Sequence, residues 1–131
     1  MNVVLDTNVF VAAGFNPRSS SAAILKSIRA DAHRFVWNRQ TQAETRKILQ
    51  QIPPLSWGRF ADLFAAQGEH TGSVEPERFQ QVSDPDDRKF AALALAADAV
   101  LISNDNHLLS VREDLAVRVL SPAEFAAQYD L

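Results

Sequence analysis

Four carboxylates in this chain stand where a catalytic centre would need them. Asp6 ends the apolar run Val3-Val4-Leu5, Asp105 lies just past the similar run Val100-Leu101-Ile102-Ser103, and Glu44 and Asp87 fall near the starts of two helical patterns. Gathered in one crevice, four carboxylates repel one another strongly, so either their pKa values rise or a cation neutralises them. Cysteine is absent, and His33, His70 and His107 share no ligand spacing, so the donors are oxygens. Such a set suits a hard divalent ion, Mg2+ or Mn2+, which keeps positions open for substrate phosphates. The matching chemistry is metal-assisted phosphodiester hydrolysis, in which the ion activates a water and stabilises the attacking and leaving oxygens.

Whether the acids can meet depends on the elements that carry them. Val3-Val4-Leu5, Phe35-Val36-Trp37, Val100 to Ser103 and Ala116 to Leu120 read as short buried strands. Between them lie helical patterns. Ile24, Leu25 and Ile28 form one stripe of a helix over about 22–30, which Ser20 or Ser21 would cap. Thr45, Ile48, Leu49 and Ile52 recur at helical spacing over 41–51, before Pro53-Pro54 stops the helix. Trp57, Phe60, Ala61 and Phe64 suggest a third helix, and residues 70–74 a weak strand or loop. Ser83-Asp84-Pro85-Asp86-Asp87 opens the strongest helix, with Phe90, Leu93, Ala94 and Ala97 on its apolar face. Ser121-Pro122-Ala123-Glu124 starts a closing one. The run 9–13 leads into a loop rich in Gly, Pro and Ser. Strands alternating with helices predict an α/β fold, a parallel sheet covered on both faces. In such a sheet the carboxyl ends of strands and the amino ends of the following helices share one edge, where ligands bind. All four acids can reach that edge.

Each acid except Asp6 also has a plain structural reading. Thr41-Gln42-Ala43-Glu44 has the form of a capping box, and Asp84-Pro85-Asp86-Asp87 that of a cap followed by Pro and an acid in the first turn. Asp105 sits in Asn104-Asp105-Asn106, a turn-forming triplet. Asp6 continues a buried strand and has no capping role visible in the sequence.

Composition narrows the function classes. The 131 residues, 47% hydrophobic, are expected to form one domain, 1–131, that can bury about two thirds of its unfolded surface in a core. Absence of cysteine fits a reducing compartment, so cytoplasm is the expected location, and no apolar run is long enough to span a membrane. Net charge is −3, so no global basic field attracts nucleic acid, and a polyanion must be held by local cations. Arg18, Arg39 and Arg88 are the candidates for phosphate contacts; each also fits a solvated surface position. A phosphoaspartate phosphatase would want a second Asp where Asn8 stands, and a receiver would want an acid on a middle strand and a late Lys.

Val4-Leu5-Asp6-Thr7-Asn8-Val9, Glu44 within 42–49, Asp84-Pro85-Asp86-Asp87-Arg88-Lys89 with the alanine-rich stretch after it, and Leu101-Ile102-Ser103-Asn104-Asp105 together resemble the successive acidic motifs of PIN-domain nucleases. The chain is similar in particular to the bacterial subgroup regarded as toxins of toxin–antitoxin systems. The resemblance runs through nearly the whole chain, in order and spacing. It implies an α/β/α sandwich around a parallel sheet, a Mg2+- or Mn2+-dependent endoribonuclease site, an RNA substrate, a cognate antitoxin protein and, commonly, a homodimer, for which the first or third helix offers apolar surface. Carried over by position, Asp6, Glu44, Asp87 and Asp105 match the acidic quartet and metal ligands, Asn8 a residue supporting the first acid, and Ser103 a position usually filled by Thr or Ser. Asp6 and Asp105 are expected to hold the ion most directly, and Glu44 to orient or deprotonate the attacking water. Asp84 is then the cap and Asp86 an outer-shell group. Asn104 departs from the pattern, standing where many members have Gly or a basic residue. A chain that kept the fold but lost activity, serving as an RNA-binding or assembly module, is the alternative reading.

Overall fold

The computed structural model describes residues 1–131. Strands β1 (Asn2–Leu5), β2 (Arg34–Phe35), β3 (Val100–Ile102) and β4 (Val119–Leu120) form one parallel sheet in the order β2-β1-β3-β4. Val3 pairs with Phe35 on one side and with Val100 on the other, and Leu101 pairs with Val119. Alternation along the strands sorts the core into two layers. Val3, Leu5, Phe35, Val100 and Ile102 face one way, onto Phe10, Ile24, Leu49 and Phe125. Val4, Val36, Leu101 and Val119 face the other, onto Phe79, Phe90, Leu93 and Leu108. Helices α1 (Thr7–Phe15), α2 (Ser20–Arg29), α3 (Arg39–Gln50) and α6 (Pro122–Gln128) thus supply the first layer, α4 (Arg88–Ala96) and α5 (Asn106–Leu109) the second. The expected parallel sheet covered on both faces is present.

Local structure departs from the sequence reading in four places. Thr7–Phe15 is a helix, although the stretch past Asn8 suggests only an apolar run and a loop; Val9, Phe10 and Ala13 are buried and Val11 and Ala12 are apolar as well, so no polar stripe marks the period. The cap of α2 is Ser19, not Ser20 or Ser21, its side chain accepting from the Ala22 amide at 3.1 Å. Helix α3 starts two residues early: Asn38 is its cap, and the capping box is Asn38 with Thr41, which removes Glu44 from any capping duty. No α-helix forms over Trp57 to Phe64; two short 3-10 turns, Trp57–Arg59 and Ala61–Leu63, stand there instead. Pro53-Pro54 and Gly58 deprive this stretch of helical support. Tertiary packing then decides, because Phe10 stacks on Phe64 and meets Phe60 edge-on. The apolar surface expected of a third helix is accordingly core: Phe60, Leu63 and Phe64 are all buried.

Candidate active site

The carboxyl ends of β1 and β3 lie side by side, and hydrogen bonding carries the ladder one residue past each strand. The Asp6 amide donates to the Ile102 carbonyl at 3.0 Å, and the Ser103 amide to the Leu120 carbonyl at 3.0 Å. This sets Asp6, only 4% exposed, against Ser103, which is fully buried. Ser103 Oγ donates to Asp6 Oδ2 at 2.7 Å and accepts from the Asp105 amide at 2.9 Å. One hydroxyl thereby couples the first acid to the loop bearing the last. Asp105 caps α5, its Oδ1 accepting from the His107 amide at 2.8 Å.

Asp87 enters from the other direction, at the joint between the 3-10 turn Pro85–Asp87 and α4. Asp84 caps that turn, its Oδ1 accepting from the Asp86 amide at 3.0 Å, which frees Asp87 to turn inward, while Asp86 stays exposed. Ligand atoms of Asp87, Asp105 and His107 lie within 4.8 Å of one another. Burial pushes the Asp87 carboxyl up from 3.8 to about 8, aided by the facing Asp105 carboxyl and by the charges of Asp6, Asp105 and Asp84. Asp6 is raised too, by burial first, then opposed by the Ser103 hydrogen bond and raised again by the Asp105 charge; the Thr7 and Asn8 amides at the start of α1 also favour its ionised form. Burial and the repulsion among the carboxylates of this crevice thus act together to raise Asp6 and Asp87.

Glu44 stands apart from this mutual repulsion. Its Oε1 meets Lys89 Nζ at 3.1 Å in a half-buried ion pair that ties α3 to α4. Helix α3 is also tied to α1, through the buried Thr7 and Thr45 hydroxyls, 2.9 Å apart. Asn8 is exposed, and the group it offers Asp6 is its backbone amide; the side chain that bonds Asp6 is that of Ser103. Of the three arginines, Arg88 directs Nε to the Val82 carbonyl at 2.9 Å, Arg39 is 91% exposed with its Nε 3.8 Å from Glu69, and Arg18 lies beyond the far end of α1. A helix of that length puts Arg18 about 13 Å along the axis from the Asp6 end.

Two neighbours of the acids have no role in the sequence reading. Lys89 pairs across a separation of 45 residues, and nothing local marks that contact. His107, which shares no ligand spacing with the other histidines and stands two residues after Asp105, is at the rim, 65% exposed, with Nδ1 3.6 Å from Asp105 Oδ1.

The donor set fits a divalent cation. Asp87 Oδ2 is buried without a hydrogen-bond partner. An orphaned carboxylate oxygen beside two further carboxylates is costly unless a proton or a cation satisfies it. Asp6, Asp87 and Asp105 are the residues that would hold such an ion.

A parallel sheet with acids converging at the carboxyl ends of its central strands defines a nuclease-like α/β domain. The chain belongs to the PIN domain family, whose model matches residues 2–107. It is similar to the uncharacterized protein MJ1680 of Methanocaldococcus jannaschii, at 25% identity over 99% of this chain and 92% of that one. Its fold is also that of two solved structures at 16% identity. One is VapBC2 from Rickettsia felis bound to a DNA fragment from its promoter, with TM-score 0.62 over 92% of this chain and 98% of that one. The other is FitAB bound to an IR36 DNA fragment, with TM-score 0.61 over 92% and 94%. PIN domains are nucleases, so hydrolysis of a nucleic acid is the activity class of the family.

Proposed function

We propose that this chain is a Mg2+- or Mn2+-dependent endoribonuclease and the toxin component of a bacterial toxin–antitoxin pair, acting on cytoplasmic RNA. The observation that carries the catalytic part is the convergence of Asp6, Asp87 and Asp105, with a buried Asp87 oxygen that has no partner. The toxin role is supported by the resemblance of the motifs and by the kinship of fold with VapBC2 and FitAB, and it brings an antitoxin protein as the expected partner.

In this reading Asp6, Asp87 and Asp105 bind the ion, and Ser103 holds Asp6 in the rotamer that faces them. A bound Mg2+ or Mn2+ supplies polarisation of the scissile phosphate and of a water at neutral pH. Glu44, fixed by Lys89, orients the attacking water and takes its proton as the new P–O bond forms. The ribose oxygen leaves with a proton from solvent. Lys89 balances Glu44, so the fourth acid adds no net charge beside an incoming phosphate.

Thermal unfolding with and without Mn2+ tests the metal site. Melting temperature should rise with Mn2+ in the wild type and lose that response in Asp6→Asn. An equal rise in both proteins would show that the acids do not hold the ion.

A further inference from the structure

We propose that the polar cleft beside the carboxyl end of β2 is a subsite for one nucleotide of single-stranded RNA, next to the scissile phosphate. The inference takes its ligand class from the ribonuclease reading. Its location comes from the topology. Asn38 follows β2 as Asp6 follows β1, and the two strands are parallel neighbours, so the cleft opens on the edge that carries the acids. It lies on the β2 side of Asp6, away from β3 and Asp105.

The cleft is built rather than incidental. Segment 69–74 forms its outer wall, and that wall is bound to the sheet: the Trp37 amide donates to the Gly68 carbonyl at 3.1 Å, and the His70 amide to the Trp37 carbonyl at 2.7 Å. Gly68 packs so closely that a Cβ there would lie 2.3 Å from the Phe35 carbonyl oxygen, so the wall cannot shift outward on a side chain. The start of α3 forms the inner wall. The volume, about 630 Å3, accommodates a nucleotide, and only one of nine lining residues is hydrophobic.

Its chemistry matches a phosphate and sugar more than an apolar ligand. Arg39 projects at the mouth with its guanidinium 91% exposed, held only loosely by Glu69 at 3.8 Å. Thr71 and Ser73 line the wall. His70 Nε2 is buried without a hydrogen-bond partner, and Gly72 covers it so tightly that a Cβ would stand 3.1 Å away. A guanidinium and hydroxyl-bearing residues are the groups that bind phosphate oxygens and ribose, and the His70 ring backs the loop that carries Thr71 and Ser73. In a protein of net charge −3 with a crevice of carboxylates, Arg39 brings an exposed cation to this cleft, with Glu69 beside it. Single-stranded RNA presents its phosphate, sugar and base groups freely to a cleft between a helix start and a loop.

The test measures affinity for a short labelled single-stranded RNA in an Asp6→Asn background, so that the probe is not cut. Adding Arg39→Ala and Thr71→Val should weaken binding about tenfold and lower the salt slope by about one. Arg39→Ala alone, at a position this exposed, keeps the fold and should show a severalfold loss. Unchanged affinity in both variants, or equal binding of duplex and single strand, overturns the subsite. Hydrolysis of bis(4-nitrophenyl) phosphate by the wild type with Mn2+ reports on the catalytic reading separately, since that ester is too small to need the cleft. Failure there with a retained effect on RNA affinity removes the catalytic reading and upholds the subsite.

Discussion

Removing the Asp87 charge should make the metal-free protein less sensitive to pH. The Asp87 carboxyl lies at about 8 in the fold against 3.8 in an ordinary setting, so the folded chain takes up this proton more readily than the unfolded one. Its contribution to stability is then fully present at low pH and is lost as pH rises from about 4 to about 8. For a fully enclosed carboxyl, moving from 3.8 to about 8 corresponds to about 6 kcal/mol. Asp87 is only half-buried, and solvent screening reduces the effect to about 2 kcal/mol. For a chain of this size that is about 8 °C in melting temperature. Thermal unfolding in EDTA at about pH 5 and about pH 9 should therefore show the wild type losing several degrees more than Asp87→Asn. Mn2+ should reverse the trend in the wild type, because the ion binds the deprotonated acids. Identical pH dependence in the two metal-free proteins would refute the claim that Asp87 carries the repulsion in the crevice.

Three more substitutions probe the supports of the site. Ser103→Ala removes the bond to Asp6 and leaves the Asp105 amide without its acceptor; Mn2+ affinity, read by thermal titration, should fall about 10- to 100-fold. Thr45→Val strands the buried Thr7 hydroxyl and should cost about 1–2 kcal/mol in denaturant unfolding. Lys89→Met leaves Glu44 unbalanced at the junction of α3 and α4, so the RNA cleavage rate should drop at least tenfold while Lys89→Arg recovers part of it; full activity in Lys89→Met would exclude the pair from the mechanism.

How far the sequence foretold these features depends on whether their causes were local. Asp6 and Asp105 follow apolar runs bounded by polar groups, and the parallel sheet puts such strand ends together. The cap at Asp84 was legible because an Asp followed by proline marks a helical start, whereas the choice of Asp87 over Asp86 came from the resemblance. Helix α1 was not, since a helix that is apolar on most sides shows no period. The aromatic spacing from Trp57 to Phe64 matched a helix but answers to the core instead, where Phe10, Phe35, Trp37 and Phe64 pack against one another. Thr41 and Glu44 fitted a capping box on paper; Asn38, three residues ahead of Thr41, took the cap. The Glu44–Lys89 pair and the cleft beside β2 arise from tertiary contacts alone. Of the two residues that the resemblance put beside Asp6, Ser103 meets it through its hydroxyl and Asn8 through its backbone amide.

Cleavage of a defined RNA by purified protein, with Mn2+ or Mg2+, beside Asp6→Asn tests the central claim most directly. Metal-dependent cleavage that EDTA stops, and that Asp6→Asn loses while keeping its fold by circular dichroism, is the predicted result. Cleavage that persists in Asp6→Asn, or that needs no metal, would contradict it.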